Sequence, residues 1–164
     1  MILDVGCGEG SLPEADVYVD IRKVKVKENS SFVLADGCHL PFRNKVFELV
    51  SCRMVIEHVD DPTQLCRELE RVGNAGFIST VTPLWETLFG RPYHRWVGWT
   101  DSEGLVLQRK NTALMERGWF GANFHEYFDK LYAKDDVFKA LFAKNCHLFE
   151  VEYYWQTRIH LKLL

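Results

Sequence analysis

Ile2-Leu3-Asp4-Val5-Gly6-Cys7-Gly8-Glu9-Gly10 is the stretch on which the fold turns. An apolar run ends and the chain breaks into glycines at alternate positions. Such glycines permit positive φ and let a ligand approach the backbone closely. N–H groups exposed there can meet an anionic group such as a carboxylate. The spacing is G-x-G-x-G, not the G-x-G-x-x-G of dinucleotide sites, and no Gly-Lys-Ser/Thr follows as in a P-loop. The triplet alone serves equally well as a plain strand-to-helix turn.

Working outward, further short apolar runs follow at 16–21, 32–35, 47–52 and 76–81, each bounded by turn residues. Near-continuous apolar strands are what a parallel sheet covered on both faces requires. An acid closes the second and third runs, Asp20 and Asp36. Ligands of open α/β sheets bind outside the carboxyl ends of the strands, where a carboxylate after the second strand suits a ribose. The glycine loop, Asp20 and Asp36 would therefore converge there. Between the last two runs, Leu65, Leu69 and Val72 share one helical face, with Pro62 at the first turn and Gly73 past the end. Strand, helix, strand reads as a parallel crossover unit.

The second half has another texture. Residues 83–132 carry half of the chain's aromatic side chains. Residues 95–99 and 105–109 flank Thr100-Asp101-Ser102-Glu103-Gly104, a candidate hairpin loop. Residues 111–118 and 135–143 read as helical. The tail, 148–155 and 158–163, reads as two strands joined tightly and hence antiparallel.

Composition bounds the rest. The chain has 164 residues, 47% hydrophobic and 26% charged, which is ordinary for one folded domain. A net charge of −3 gives no electrostatic footprint for nucleic acid. The five cysteines include no C-x-x-C pair, and Cys38-His39 and Cys146-His147 lack further ligand spacing, so neither a disulfide framework nor a metal is expected. Met1-Ile2-Leu3-Asp4 holds no secretory signal, and no stretch reaches the roughly 20 apolar residues of a membrane span. Reduced thiols in a cytoplasmic protein are the plain reading.

Four blocks taken in order resemble class I S-adenosylmethionine-dependent methyltransferases of the ubiquinone/menaquinone small-molecule type. They are residues 2–10, Asp20, Ala35-Asp36-Gly37-Cys38-His39-Leu40-Pro41-Phe42, and the stretch 47–62 with Glu57-His58-Val59-Asp60-Asp61-Pro62. The resemblance covers residues 2–83. It implies a Rossmann-like, doubly wound α/β fold with three α/β/α layers and a mostly parallel seven-stranded sheet whose C-terminal strand is antiparallel. It also implies one domain over 1–164: a cofactor half at 1–83, an aromatic-rich insertion for substrate or lid at 84–132, and a C-terminal helix and strand pair at 133–164. S-adenosylmethionine, or S-adenosylhomocysteine after transfer, would face Gly6, Cys7, Gly8 and Gly10 with its methionine part. Asp4 would support its amino group. Asp20 with Ile21 would hold the ribose, and Asp36 with Gly37 would meet the adenine. Cys52 and Arg53 would border the methyl group.

Two departures from the family pattern stand out. Only residues 9–15 separate the loop from the second strand, and Pro13 interrupts them, so the first helix is one turn or absent. The sequence begins at the first strand, where family members usually carry a helix over the cofactor. The open side would be closed by the aromatic segment or by a partner subunit, a second copy of this chain. Methyl transfer needs positioning more than a triad. The candidates for chemistry are His94, with Tyr93 and Arg95 beside it, and His58. Histidine near its usual pKa suits a base. The aromatics Trp85, Phe89, Trp96, Trp99, Trp119, Phe120, Phe124, Tyr127 and Phe128 would floor a substrate pocket or, more simply, form core or a dimer contact. The reading is methyl transfer to an unidentified, small acceptor. Its alternatives are a methyltransferase-like binding or scaffold domain and a protein or RNA methyltransferase.

Overall fold

The computed structural model describes residues 1–9, 12–28, 30–110 and 124–164. The five apolar runs form its parallel strands: β1 (Ile2–Val5), β2 (Val17–Asp20), β3 (Ser31–Leu34), β4 (Phe47–Arg53) and β5 (Gly73–Val81). With β8 (Glu150–Gln156) they make one sheet in the order β3-β2-β1-β4-β5-β8, and β8 runs antiparallel to β5. Among the described residues this sheet has six strands, against the seven expected. The chain steps outward from β1 through β2 to β3, then returns to the other side of β1 for β4. That reversal opens a crevice beyond the carboxyl ends of β1 and β4, where ligands of such sheets sit.

Helix α1 (Pro62–Val72) forms as its punctuation predicts. The Asp61 carboxylate caps it by accepting from the Gln64 N–H at 2.9 Å, and Pro62 occupies the first turn. Leu65, Leu69 and Val72 are wholly buried against one face of the sheet, together with Leu3, Val5, Val50 and Ile78. Each such side chain contributes about 1.5–3 kcal/mol. The helix runs into β5 without a loop. Gly73 is both its cap and the first strand residue, with extended backbone at φ −113°. A Cβ on Gly73 would lie 2.3 Å from Val50 Cγ2, so glycine serves close approach here, not a left-handed turn.

The opposite face carries no helix over β1 and β2 among the described residues. Tyr18 and Ala15 are covered there by the irregular stretches holding Leu12, Val24 and Val26. This corrects the three-layer expectation on that side. The cause is the one legible in the sequence: too few residues, and a proline, between loop and β2.

Beyond β5 lie α2 (Pro83–Phe89) and a second sheet, β6-β7-β9, with β6 (Trp96–Thr100), β7 (Leu105–Arg109) and β9 (Leu161–Leu163). The expected β6–β7 hairpin forms. Asp101 closes its loop by accepting from the Glu103 and Gly104 N–H groups at 2.8 and 3.1 Å. The tail is not an antiparallel strand pair. Thr157, at φ +67°, turns the chain out of the large sheet, Ile159 plugs the core, and β9 joins β7 in parallel. Helices α3 (His125–Lys134) and α4 (Asp136–Lys144) pack with α2. The helix expected at 111–118 lies outside the described residues. No described helix is long and apolar enough to cross a membrane.

Candidate functional site

Where β1 ends, Gly6 and Gly8 adopt φ of +69° and +49°. A Cβ on Gly6 would collide with Val55 at 2.1 Å, whereas one on Gly8 would meet no described residue within 4 Å. Gly6 thus lets the loop lie on the chain after β4, and Gly8 leaves its backbone bare to the crevice. Asp20, almost fully buried, accepts from the Gly8 N–H at 3.0 Å and the Arg22 N–H at 2.8 Å. Buried Asp4 accepts from the Leu12 N–H at 2.8 Å and tethers the far end of the loop. Asp36 accepts from the Cys38 N–H at 2.9 Å. In each case a strand-end carboxylate is oriented by backbone N–H groups.

These residues surround a hollow of about 1440 Å³. Its wall includes Asp4, Gly6, Cys7, Gly8, Asp20, Ile21, Asp36, Gly37 and Arg53, all candidates named from the sequence. Ile21 is 70% exposed, an apolar surface offered to a ligand. Burial, with Asp20 and Asp4 nearby, pushes the Cys7 thiol up to about 11, so it stays protonated at neutral pH. Gly10 lies outside the described residues. Cys52 is a correction: it pairs in register with Val5 and is wholly buried on the α1 face, away from the hollow.

The floor after β4 was only partly foreseen. Met54 takes a left-handed backbone at φ +55°, a conformation that costs energy in a non-glycine residue. The turn brings Val55, His58, Val59, Asp60 and Asp61 to the hollow. Tyr93 joins them from the segment after α2.

His94 stands behind this wall. It is nearly buried, with its ring centroid 4.9 Å from that of His58. Its Nδ1 lies 2.7 Å from a Glu86 carboxylate oxygen. The other Glu86 oxygen takes the Lys110 ammonium at 2.6 Å and the Arg91 N–H at 2.7 Å, all within the protein. Burial alone would raise the Glu86 carboxyl, but the hydrogen bonds from His94 and Lys110 outweigh it and hold the group below its usual value. Glu57 is also buried. One of its oxygens accepts from the Thr80 hydroxyl at 3.1 Å, and the other, Oε1, has no hydrogen-bond partner among the described residues. Burial pushes the Glu57 carboxyl up to about 8. Burial, then His94, holds His58 below its usual value.

Sequence reasoning did not find Glu57 as a functional group, nor Glu86 and Lys110 at all. The carbonyl of Glu57 accepts from the Arg95 and Trp96 N–H groups, and this clasp brings residues 93–96 against the site. Most of the aromatics do not floor the hollow. Trp85, Phe89 and Phe128 stack with one another in a separate aromatic core. Trp96 is buried, donating its indole N–H to the Val59 carbonyl at 2.9 Å. Phe124 and Tyr127 are exposed. Trp119 and Phe120 lie outside the described residues.

Residues 3–76 match the protein family described as Methyltransferase domain. The chain is 30% identical over 102 residues to an uncharacterised methyltransferase of Schizosaccharomyces pombe, covering 46% of this chain and 36% of that one. It is 24% identical over 166 residues to a ubiquinone biosynthesis O-methyltransferase of Nitrosomonas europaea, covering 80% and 70%. The solved structure of an S-adenosylmethionine dependent methyltransferase from Mesorhizobium loti aligns with a TM-score of 0.49 at 13% identity, over 94% and 90% of the two chains. The chain spans about a third of the length of the first curated relatives it matches.

Proposed function

We propose that this chain, whose residues 3–76 match the Methyltransferase domain family, is a class I S-adenosylmethionine-dependent methyltransferase, and that its hollow binds this cofactor and transfers the methyl group to a small acceptor. The single observation that carries the reading is the convergence of Gly8, Asp20 and Asp36 on one cavity. The residues present fit the cofactor. The bare backbone at Gly8 admits its amino-acid end, the Asp20 and Asp36 carboxylates accept from hydroxyl and amino groups, and Ile21 offers an apolar surface to a flat base. Bound there, the cofactor supplies an electrophilic methyl group.

The hollow exceeds the roughly 300–1,000 Å³ of a single small-molecule site, leaving room for an acceptor beside the cofactor. His58 and Tyr93 border that end, and His94 acts through them, held by Glu86. Tyr93, from the segment after α2, thus serves the acceptor rather than the cofactor.

Calorimetric titration with S-adenosylhomocysteine tests the reading. We expect submillimolar binding, weakened about tenfold or more in Asp20→Ala, a loss of about 1.4 kcal/mol. No heat at millimolar ligand would leave a scaffold domain as the better description.

A further inference from the structure

Glu57, His58 and His94 each offer one ligand atom, and those atoms lie within 4.8 Å of one another, His58 alone of the three lining the hollow. Three features mark the group as more than neighbours. Glu57 is fully buried, its Oε1 has no hydrogen-bond partner among the described residues, and His58 Nε2 lies 4.0 Å from it. An unpaired buried carboxyl oxygen is costly, and a cation that takes the place of the carboxyl proton, released to solvent, removes the cost. Next, the Glu86 carboxylate lies on His94 Nδ1, while Lys110 already balances its charge. That contact orients the ring with Nδ1–H donating and leaves the Nε2 lone pair for a ligand bond. Carboxylates behind metal-binding histidines play this part. Finally, His58 is partly exposed on the wall of the hollow, whereas Glu57 and His94 are buried.

We infer that Glu57, His58 and His94 bind one divalent transition-metal ion of the zinc class, whose open position faces the hollow and takes an anionic oxygen of the methyl acceptor. Two imidazoles and one carboxylate with a vacant fourth position are the donor set of catalytic zinc sites. The ion bonds an acceptor oxygen, such as that of a phenol, enol or carboxylic acid, and that oxygen's proton passes to solvent. The site therefore selects oxygen acceptors. The acceptor role rests on the methyltransferase reading; the ion site rests on the three side chains alone.

The test is a titration of chelator-stripped protein with Co²⁺ alone, read by the visible absorption of low-coordinate cobalt, with Zn²⁺ added in competition. The bands should saturate at one ion per chain and vanish with Zn²⁺. Glu86→Gln should weaken binding about 10- to 100-fold. Glu57→Gln and His58→Ala should abolish the bands while circular dichroism stays native, and His147→Ala should leave them intact. Absent bands at millimolar Co²⁺, or bands unchanged in Glu57→Gln and His58→Ala, overturn the site. S-adenosylhomocysteine binding without Co²⁺ binding keeps the methyltransferase reading and sinks the metal. Co²⁺ binding without S-adenosylhomocysteine binding keeps the ion site and overturns its acceptor role.

Discussion

His94 Nδ1 lies 2.7 Å from Glu86, and that carboxylate in turn holds the Lys110 ammonium at 2.6 Å, so three ionisable side chains from separate elements meet out of water. Removing one member leaves the others buried without their counterpart, which costs about 3–5 kcal/mol. Glu86→Ala should lower unfolding free energy by that amount in denaturant titrations. A loss below about 1 kcal/mol would mean that water or a rearranged partner replaces the carboxylate.

Gly8→Ala separates binding from folding. The position has open space around it but sits at φ +49°. An alanine there costs roughly 1–2 kcal/mol of strain and puts a methyl group into the hollow. Near-native melting together with lost S-adenosylhomocysteine binding is the expected pair of results. Undiminished binding would show that the ligand does not approach this backbone.

Gly6→Ala should behave in the opposite way, as a folding defect. Its new Cβ would sit 2.1 Å from Val55 Cγ2. The double variant Gly6→Ala/Val55→Ala should recover part of the lost melting temperature by removing the clash while the φ strain remains. If Val55→Ala brings no recovery, the collision is not the cause.

Acid stability has a traceable contributor in Glu68. The Arg71 guanidinium, bonded at 2.7 Å, holds its carboxyl below the ordinary 4.5. In the window from that ordinary value down to the lower folded one, the unfolded chain binds more protons, so stability rises with pH there. The contribution is present above the unfolded value and is lost as pH falls through the folded one. Glu68→Gln should flatten this part of the acid limb in urea titrations across pH. An unchanged slope assigns the limb to other carboxylates.

The glycine loop and the acids at Asp20 and Asp36 were legible because each is a local event, a residue type at the end of an apolar run. The cluster at Glu57, His94, Glu86 and Lys110 was not. Its members come from separate elements, and nothing local says that the Glu57 carbonyl clasps the start of β6. Cys52 failed for a reason the strand period contains. Neighbours in a strand point to opposite faces, so Cys52 and Arg53 cannot both border one ligand. Arg53 lies on the Asp4 side, 4.0 Å from its carboxylate, and Cys52 on the α1 side. The tail misread two strands as partners because tight spacing looks the same whether the chain folds back or leaves the sheet.

The joint at Gly73 keys the sheet to its helix. With no slack between α1 and β5, one extra residue there cannot be absorbed by a bulging linker. It would push every later β5 position half a pleat onward, swapping inner for outer side chains along the strand. Ile78 would leave the oily interior, and the β8 edge would lose its mate. A tolerant protein hides its length variation in slack; here length itself is part of the code, and this seam is where the molecule can least afford a duplication.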